Sequence, residues 1–292
     1  ERLFHNNKYS DFKECVRGLQ QLIKETSDID LISETVNEAC LIFFDNFSIL
    51  QEKDLKSLNI GKETRFFATW LIKVIIARYK TQQPCESQFL KCLEMTFIFF
   101  KEKDDLTSIL KDLIFAVLSL SDDVVLDENN LSSLFKKFAL NRGFNNYVLS
   151  DTFLTDIWCI WKLKSQVISK LIGTLLCECL NKGQTRNEKN YNSFLEISSN
   201  EIMCVNNDMI SFLVLFYKKL GNCSIYTSKF VEFNNAIIKS KCYELLIDLY
   251  SIKSVPLQLK NSCITHLLKI NNISADHIII KIMINENLSS MF

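Results

Sequence analysis

Glycine and proline are scarce in this sequence, with 6 and 2 residues among 292. An all-β sandwich or barrel turns every 8–12 residues or so and draws on Gly, Pro and Asn at each turn. So few turn formers exclude that class, and collagenous or linker-rich chains with it. Charge of one sign is also missing: 34 basic side chains face 34 acidic ones. Residues 1–146 carry 19 basic and 22 acidic side chains, and residues 147–292 carry 15 and 12. Neither half is a basic domain of the kind that neutralises phosphate. Long apolar runs are absent as well. The best, Phe66 to Ala77 and Ile168 to Leu180, are interrupted by Lys73 and Lys170. Both fall short of the roughly 18 uninterrupted residues that a membrane span needs, so we expect core helices and no membrane partner. The chain begins with Glu1 rather than Met, as expected of a fragment, in which any upstream targeting signal would be invisible.

What is present is apolar mass. Hydrophobic residues make up 48% of the chain, and a chain of this length can bury a core that needs neither disulfide nor metal as a staple. The 11 cysteines sit mostly in apolar runs, among them Cys40, Cys92, Cys159, Cys177 and Cys179. They read as small core residues in a reducing compartment, which implies nucleus or cytoplasm.

The apolar residues recur with helical spacing almost throughout. Tyr9 to Thr26 places Phe12, Cys15, Val16, Leu19, Leu22 and Ile23 on one face behind a Ser10 cap. Asp30 to Asn46 repeats the pattern after a SerAspIleAsp turn, and the two predict an antiparallel hairpin. Further helices are expected over Lys62–Lys80, Cys85–Lys101, Asp105–Leu120, Glu128–Leu140, Asp151–Leu163, Ser165–Leu180, Asn187–Ile197, Asp208–Leu220, Ser228–Ser251, Pro256–Ile270 and Ala275–Ile284. Pro84 and Pro256 suit first-turn positions, and Gly143, Gly183 and Gly221 suit left-handed C-caps. The polar stretches Glu52 to Glu63 and Asn181 to Asn192 read as exposed loops.

Segments such as Phe66 to Ala77 are apolar on more than one face, which requires helices packed on several sides. An all-α fold of about thirteen helices follows. The spacing of helix pairs resembles HEAT and armadillo repeats in architecture, which implies a right-handed α-solenoid with irregular repeats. The whole of 1–292 is then one helical-repeat domain, with a possible subdomain boundary near 181–192. A compact irregular helical domain is the alternative. No tetratricopeptide, ankyrin or leucine-rich consensus occurs.

Chemistry-bearing constellations are few. Of the histidines His5, His266 and His277, only His266 has a Cys at helical spacing, Cys263, and the pair reads as a buried thiol beside a surface imidazole. Cys177 and Cys179 are separated by one residue, which places them on different helix faces rather than on one zinc ion. The acidic pairs Asp122-Asp123 and Asp127-Glu128 lack the spacing and the Gly turn of a calcium loop and suit a helix N-terminus. No phosphate-cradling glycine loop and no hydrolase or zincin motif occurs. No catalytic residue, metal site or cofactor is expected.

The residues left for a partner are Trp158 and Trp161, three apart on one helix face, and the basic groups Lys136, Lys137 and Arg142, Lys218 and Lys219, and Lys239 with Lys241. An exposed Trp pair would be a protein hot spot, although Ile157, Ile160 and Leu163 compete with it for burial and core packing is the stronger reading. The basic groups read first as solvated faces. The function expected is a non-catalytic protein-interaction scaffold or adaptor subunit of a larger intracellular complex, binding a peptide or partner helix of another subunit. A nucleic-acid binder using a converged basic face is the alternative.

Overall fold

A computed structural model describes residues 2–101, 105–183, 188–221, 224–252, 254–269 and 273–285. These residues are all-helical, with sixteen α-helices, three short 3-10 turns and no strand among them. No helix in this set is long and apolar enough to cross a membrane. The chain divides into two compact units, Glu1–Asn145 and Asn146–Phe292.

The first unit contains α1 (Arg2–Glu25), α2 (Ile29–Phe47), α3 (Glu52–Ser57), α4 (Gly61–Lys80), α5 (Ser87–Thr96), α6 (Thr107–Leu118) and α7 (Glu128–Phe138), and the division falls inside α8 (Arg142–Val148). The expected α1–α2 hairpin is present. Asp28 caps α2 by accepting from the backbone N–H groups of Asp30 and Leu31. Helix α4 packs against α1, α2, α5 and α6, which explains its apolar residues on several faces. The centre is aromatic: Phe12 meets Phe43 at 5.1 Å and Phe67 at 5.6 Å between ring centroids, and Phe43 meets Phe47 at 4.9 Å. Each buried Phe is worth about 1.5–3 kcal/mol of transfer free energy.

The second unit contains α9 (Asp151–Trp161), α10 (Gln166–Lys182), α11 (Asn192–Glu201), α12 (Asn207–Leu220), α13 (Ser224–Ser240), α14 (Glu244–Tyr250), α15 (Leu257–Leu268) and α16 (Ile273–Asn285). Helices two apart in the chain pack side by side: α9 on α11 and α11 on α13, then α10 on α12, α12 on α14 and α14 on α16. The first unit repeats this habit, with α4 on α6 and α5 on α7.

Several local expectations are corrected. Helix α1 starts at Arg2, so Ser10 lies inside it and is no cap; nothing between Arg2 and Tyr9 breaks a helix. Residues 52–57 form the short helix α3 rather than loop, anchored by buried Leu55. Pro84 precedes the Glu86 cap of α5, and Pro256 is itself the N-cap of α15, so neither is in a first turn. Gly143 is helical in α8, where Asn141 Oδ1 accepts from Phe144 N at 2.9 Å. Gly183 ends α10 with extended backbone, and only Gly221 takes a positive φ, of 77°. The segment expected as one helix over Ser228–Ser251 breaks at Lys241, whose φ is 59°. There the N–H of Cys242 reaches the Ile237 carbonyl at 3.2 Å and satisfies the end of α13. The stretch 181–192 lies within the second unit, and residues 184–187 of it are outside the described set.

Candidate functional site

The tryptophan pair is interior. Trp158 and Trp161 are both fully buried, 6.1 Å apart in a T-shaped arrangement, with Phe194 against the first ring and Phe212 against the second. Their polar edges are satisfied inside the unit: Trp158 Nε1 donates to Glu201 at 2.8 Å, and Trp161 Nε1 donates to Ser169 Oγ at 2.8 Å. The pair is therefore core, the stronger of its two sequence readings, and the exposed partner-binding ridge is corrected, because the indole N–H groups find partners that let both rings be withdrawn from water. Glu201 also accepts from Lys162 at 2.7 Å, and that bond, more than the one from Trp158, holds its carboxyl below the ordinary range.

The basic residues are distributed. Lys136 and Arg142 are exposed and Lys137 half-buried in the first unit, while Lys218 and Lys219 are exposed in the second. Lys218 is committed to Asp248 at 2.6 Å. Lys137 lines a cleft.

The cysteines divide similarly. Cys40, Cys92 and Cys179 are buried as expected, but Cys159 is exposed and Cys177 half-buried. Burial pushes the Cys177 thiol up to about 12, with Asp208 and Glu178 adding to the effect, so it is an inert thiol at neutral pH. Cys263 is buried beside Tyr250, and His266, three residues on, is exposed. Asp127 caps α7, accepting from Asn130 N at 3.1 Å and from the Ser87 hydroxyl. No group of three or more His, Cys, Asp or Glu among the described residues could hold a metal ion.

One cleft in the first unit combines an apolar floor with charge. It lies where α3, the 3-10 turn Phe97–Phe99, the start of α6 and the end of α7 meet. Arg65 on α4 holds that turn in place by donating to the Phe99 carbonyl at 3.2 Å. The floor of the cleft continues into a set of tilted and edge-on ring contacts, Phe97 with Phe138 at 4.9 Å, Phe97 with Phe100 at 5.4 Å and Phe138 with Phe144 at 6.0 Å. Ile98 and Phe100 are half-buried, and Leu140 is 50% exposed. Three ammonium groups, Lys56, Lys101 and Lys137, and one carboxylate, Glu52, complete the lining. Lys56 bonds Glu52 at 2.6 Å, and this bond, with a lesser contribution from Lys137, holds the Glu52 carboxyl low. The cleft measures about 270 Å³ and is open. That is below the roughly 300–1,000 Å³ typical of enclosing small-molecule pockets, and suits one or two side chains of a larger partner.

Sequence reasoning missed two features. The third tryptophan, Trp70, is the half-buried one, with Lys73 Nζ 3.9 Å from its ring centroid. Beside it, Thr69, Lys73 and Ile76 of α4 and Ile109 and Asp112 of α6 line a groove of about 390 Å³. The cleft itself joins segments more than eighty residues apart, and of its lining only Lys137 carried a signal in the sequence. Compared with known protein families, curated proteins and solved structures, the chain matches none of them.

Proposed function

We propose that this protein is a non-catalytic interaction scaffold, an adaptor subunit of a larger complex in nucleus or cytoplasm, which holds a peptide or partner helix of another subunit. The observation that carries this reading is the cleft of the first unit: partly exposed Phe100 and Leu140 on an aromatic floor, framed by lysines. Apolar anchors framed by charge are the means by which helical surfaces grip short segments. The proposal extends to the architecture. Packing of alternate helices within each unit is the habit of helix-pair repeats, in which each hairpin stacks on the next, and it supports an irregular α-solenoid of HEAT or armadillo kind.

The test is cross-linking of the protein in lysate of its source through its lysines, read by mass spectrometry at low and high salt. The expected result is a protein partner, retained at high salt, linked through Lys56, Lys101 or Lys137 and lost in Leu140→Asp. Recovery only of nucleic acid that high salt removes would overturn the reading and favour a basic-face binder.

A further inference from the structure

We infer that the cleft of the first unit takes an acidic segment of a protein partner, seating one or two aliphatic or aromatic side chains on Phe97, Phe100 and Leu140 while its carboxylates face Lys56, Lys101 and Lys137. This inference rests on the protein-binding reading and gives that site its ligand chemistry.

Three observations lead to it. The lining carries three ammonium groups against one carboxylate, although residues 1–145 as a whole hold 19 basic and 22 acidic side chains. The lysines therefore gather on a unit whose net charge is mildly negative, although Lys56 is already engaged by Glu52 and Lys101 also has a partner within the protein. A short acidic segment anchored by apolar groups profits from such a spot, whereas a long polyanion would meet the rest of the unit as well. The rim already holds a carboxylate in this way, since Glu52 sits 2.6 Å from Lys56 with Lys137 close enough to stabilise its charge. The floor is preorganised: the tilted ring contacts of Phe97 with Phe100 and Phe138 and the Arg65 bond to the Phe99 carbonyl hold it in place before anything docks. A rigid floor lowers the ordering cost of binding. The apolar side chains account for affinity here, and the lysines choose among partners and speed encounter.

The experiment is fluorescence anisotropy with the full chain and four dye-labelled probes. These are a short peptide of Glu, Asp, Leu and Phe, its Gln/Asn counterpart, its counterpart with Ala for Leu and Phe, and an oligothymidine strand. Each is titrated into the native protein, the Lys101→Glu/Lys137→Glu variant and Leu140→Asp, with circular dichroism confirming that both variants fold. The expected result is selective binding of the acidic apolar peptide, weakened about tenfold or more in the charge-reversed variant and comparably in Leu140→Asp. Equal binding of the Gln/Asn peptide, undiminished by charge reversal, overturns the acidic chemistry and leaves the protein-binding reading standing. Equal binding of the alanine peptide or of oligothymidine overturns the apolar anchors. Binding of the acidic peptide that neither variant changes overturns the site. Binding of oligothymidine with no peptide bound overturns the proposal and the protein-binding reading together, and silence from all four probes overturns the proposal alone, because the lysine cross-linking tests the wider reading separately.

Discussion

Both units bury aromatic rings in their cores, but they place their tryptophans differently. In the second, two indoles are drawn fully inside and their N–H groups are taken up by Glu201 and Ser169. In the first, Trp70, Phe100 and the neighbouring Leu140 stay partly in water, close to lysines. Residue type does not decide between these fates. Partners do, because a buried indole needs an acceptor for its N–H, and the second unit supplies one to each ring. Half-exposed apolar groups beside ammonium groups, by contrast, are a surface left with binding capacity.

The sharpest way to break this comparison is to truncate each indole. Trp161→Ala removes a fully buried ring, while Ser169 keeps its bond from Asn206, and should destabilise the protein by about 3–5 kcal/mol in urea unfolding. Trp70→Ala should cost less, on the order of 1–2 kcal/mol, since part of the residue is already exposed. Equal losses would erase the distinction between a closed and an open aromatic surface.

A smaller effect is expected at Gly173, where α10 passes close to α12. A Cβ there would lie 3.1 Å from Asp208 Cβ and 3.4 Å from Trp161 Cζ2. Overpacking costs about 1–3 kcal/mol, against the 0.5–1 kcal/mol or so that Ala gains over Gly in a helix. Gly173→Ala should therefore fall near balance and Gly173→Val should be clearly destabilising, as thermal unfolding would record.

The second unit also holds two carboxyls with opposite pH behaviour. Glu201 is held below its ordinary 4.5, first by the Lys162 hydrogen bond, so its contribution to stability is complete above about pH 4.5 and is lost as pH falls through the lowered value. Asp208 is raised above its ordinary 3.8 by burial, so its contribution is present below that pH and disappears as pH rises through the raised value. Unfolding between about pH 3 and pH 6 should show Glu201→Gln flattening one slope and Asp208→Asn the other. The smallest effect belongs to the exposed Lys218–Asp248 pair: Lys218→Ala should cost no more than about 1 kcal/mol, and less as salt rises.

Helix content and most helix positions were legible in the sequence, because helical spacing of apolar residues is a local signal. The break at Lys241 was not, since a single left-handed residue without Gly leaves no periodic trace. Nor was α3, whose one anchor, Leu55, finds its core only in the fold. The candidate site was legible in fragments. Lys137 stood out as part of a basic cluster, but Phe97, Phe100 and Leu140 carry no mark in the sequence that sets them apart from other apolar residues, and only tertiary packing leaves Phe100 and Leu140 half-open beside it. The tryptophans were read more strongly as core than as an exposed ridge, and what stayed hidden was what satisfies them: Glu201 and Ser169 lie 43 and 8 residues away along the chain.

The most direct test of the central claim is hydrogen exchange of the full chain with and without the acidic apolar peptide, read by mass spectrometry. The account predicts slowed exchange confined to segments covering 52–57, 97–101 and 137–141, and unchanged exchange over 146–292. Protection centred in the second unit, or bound peptide that leaves those three segments as they were, would contradict it.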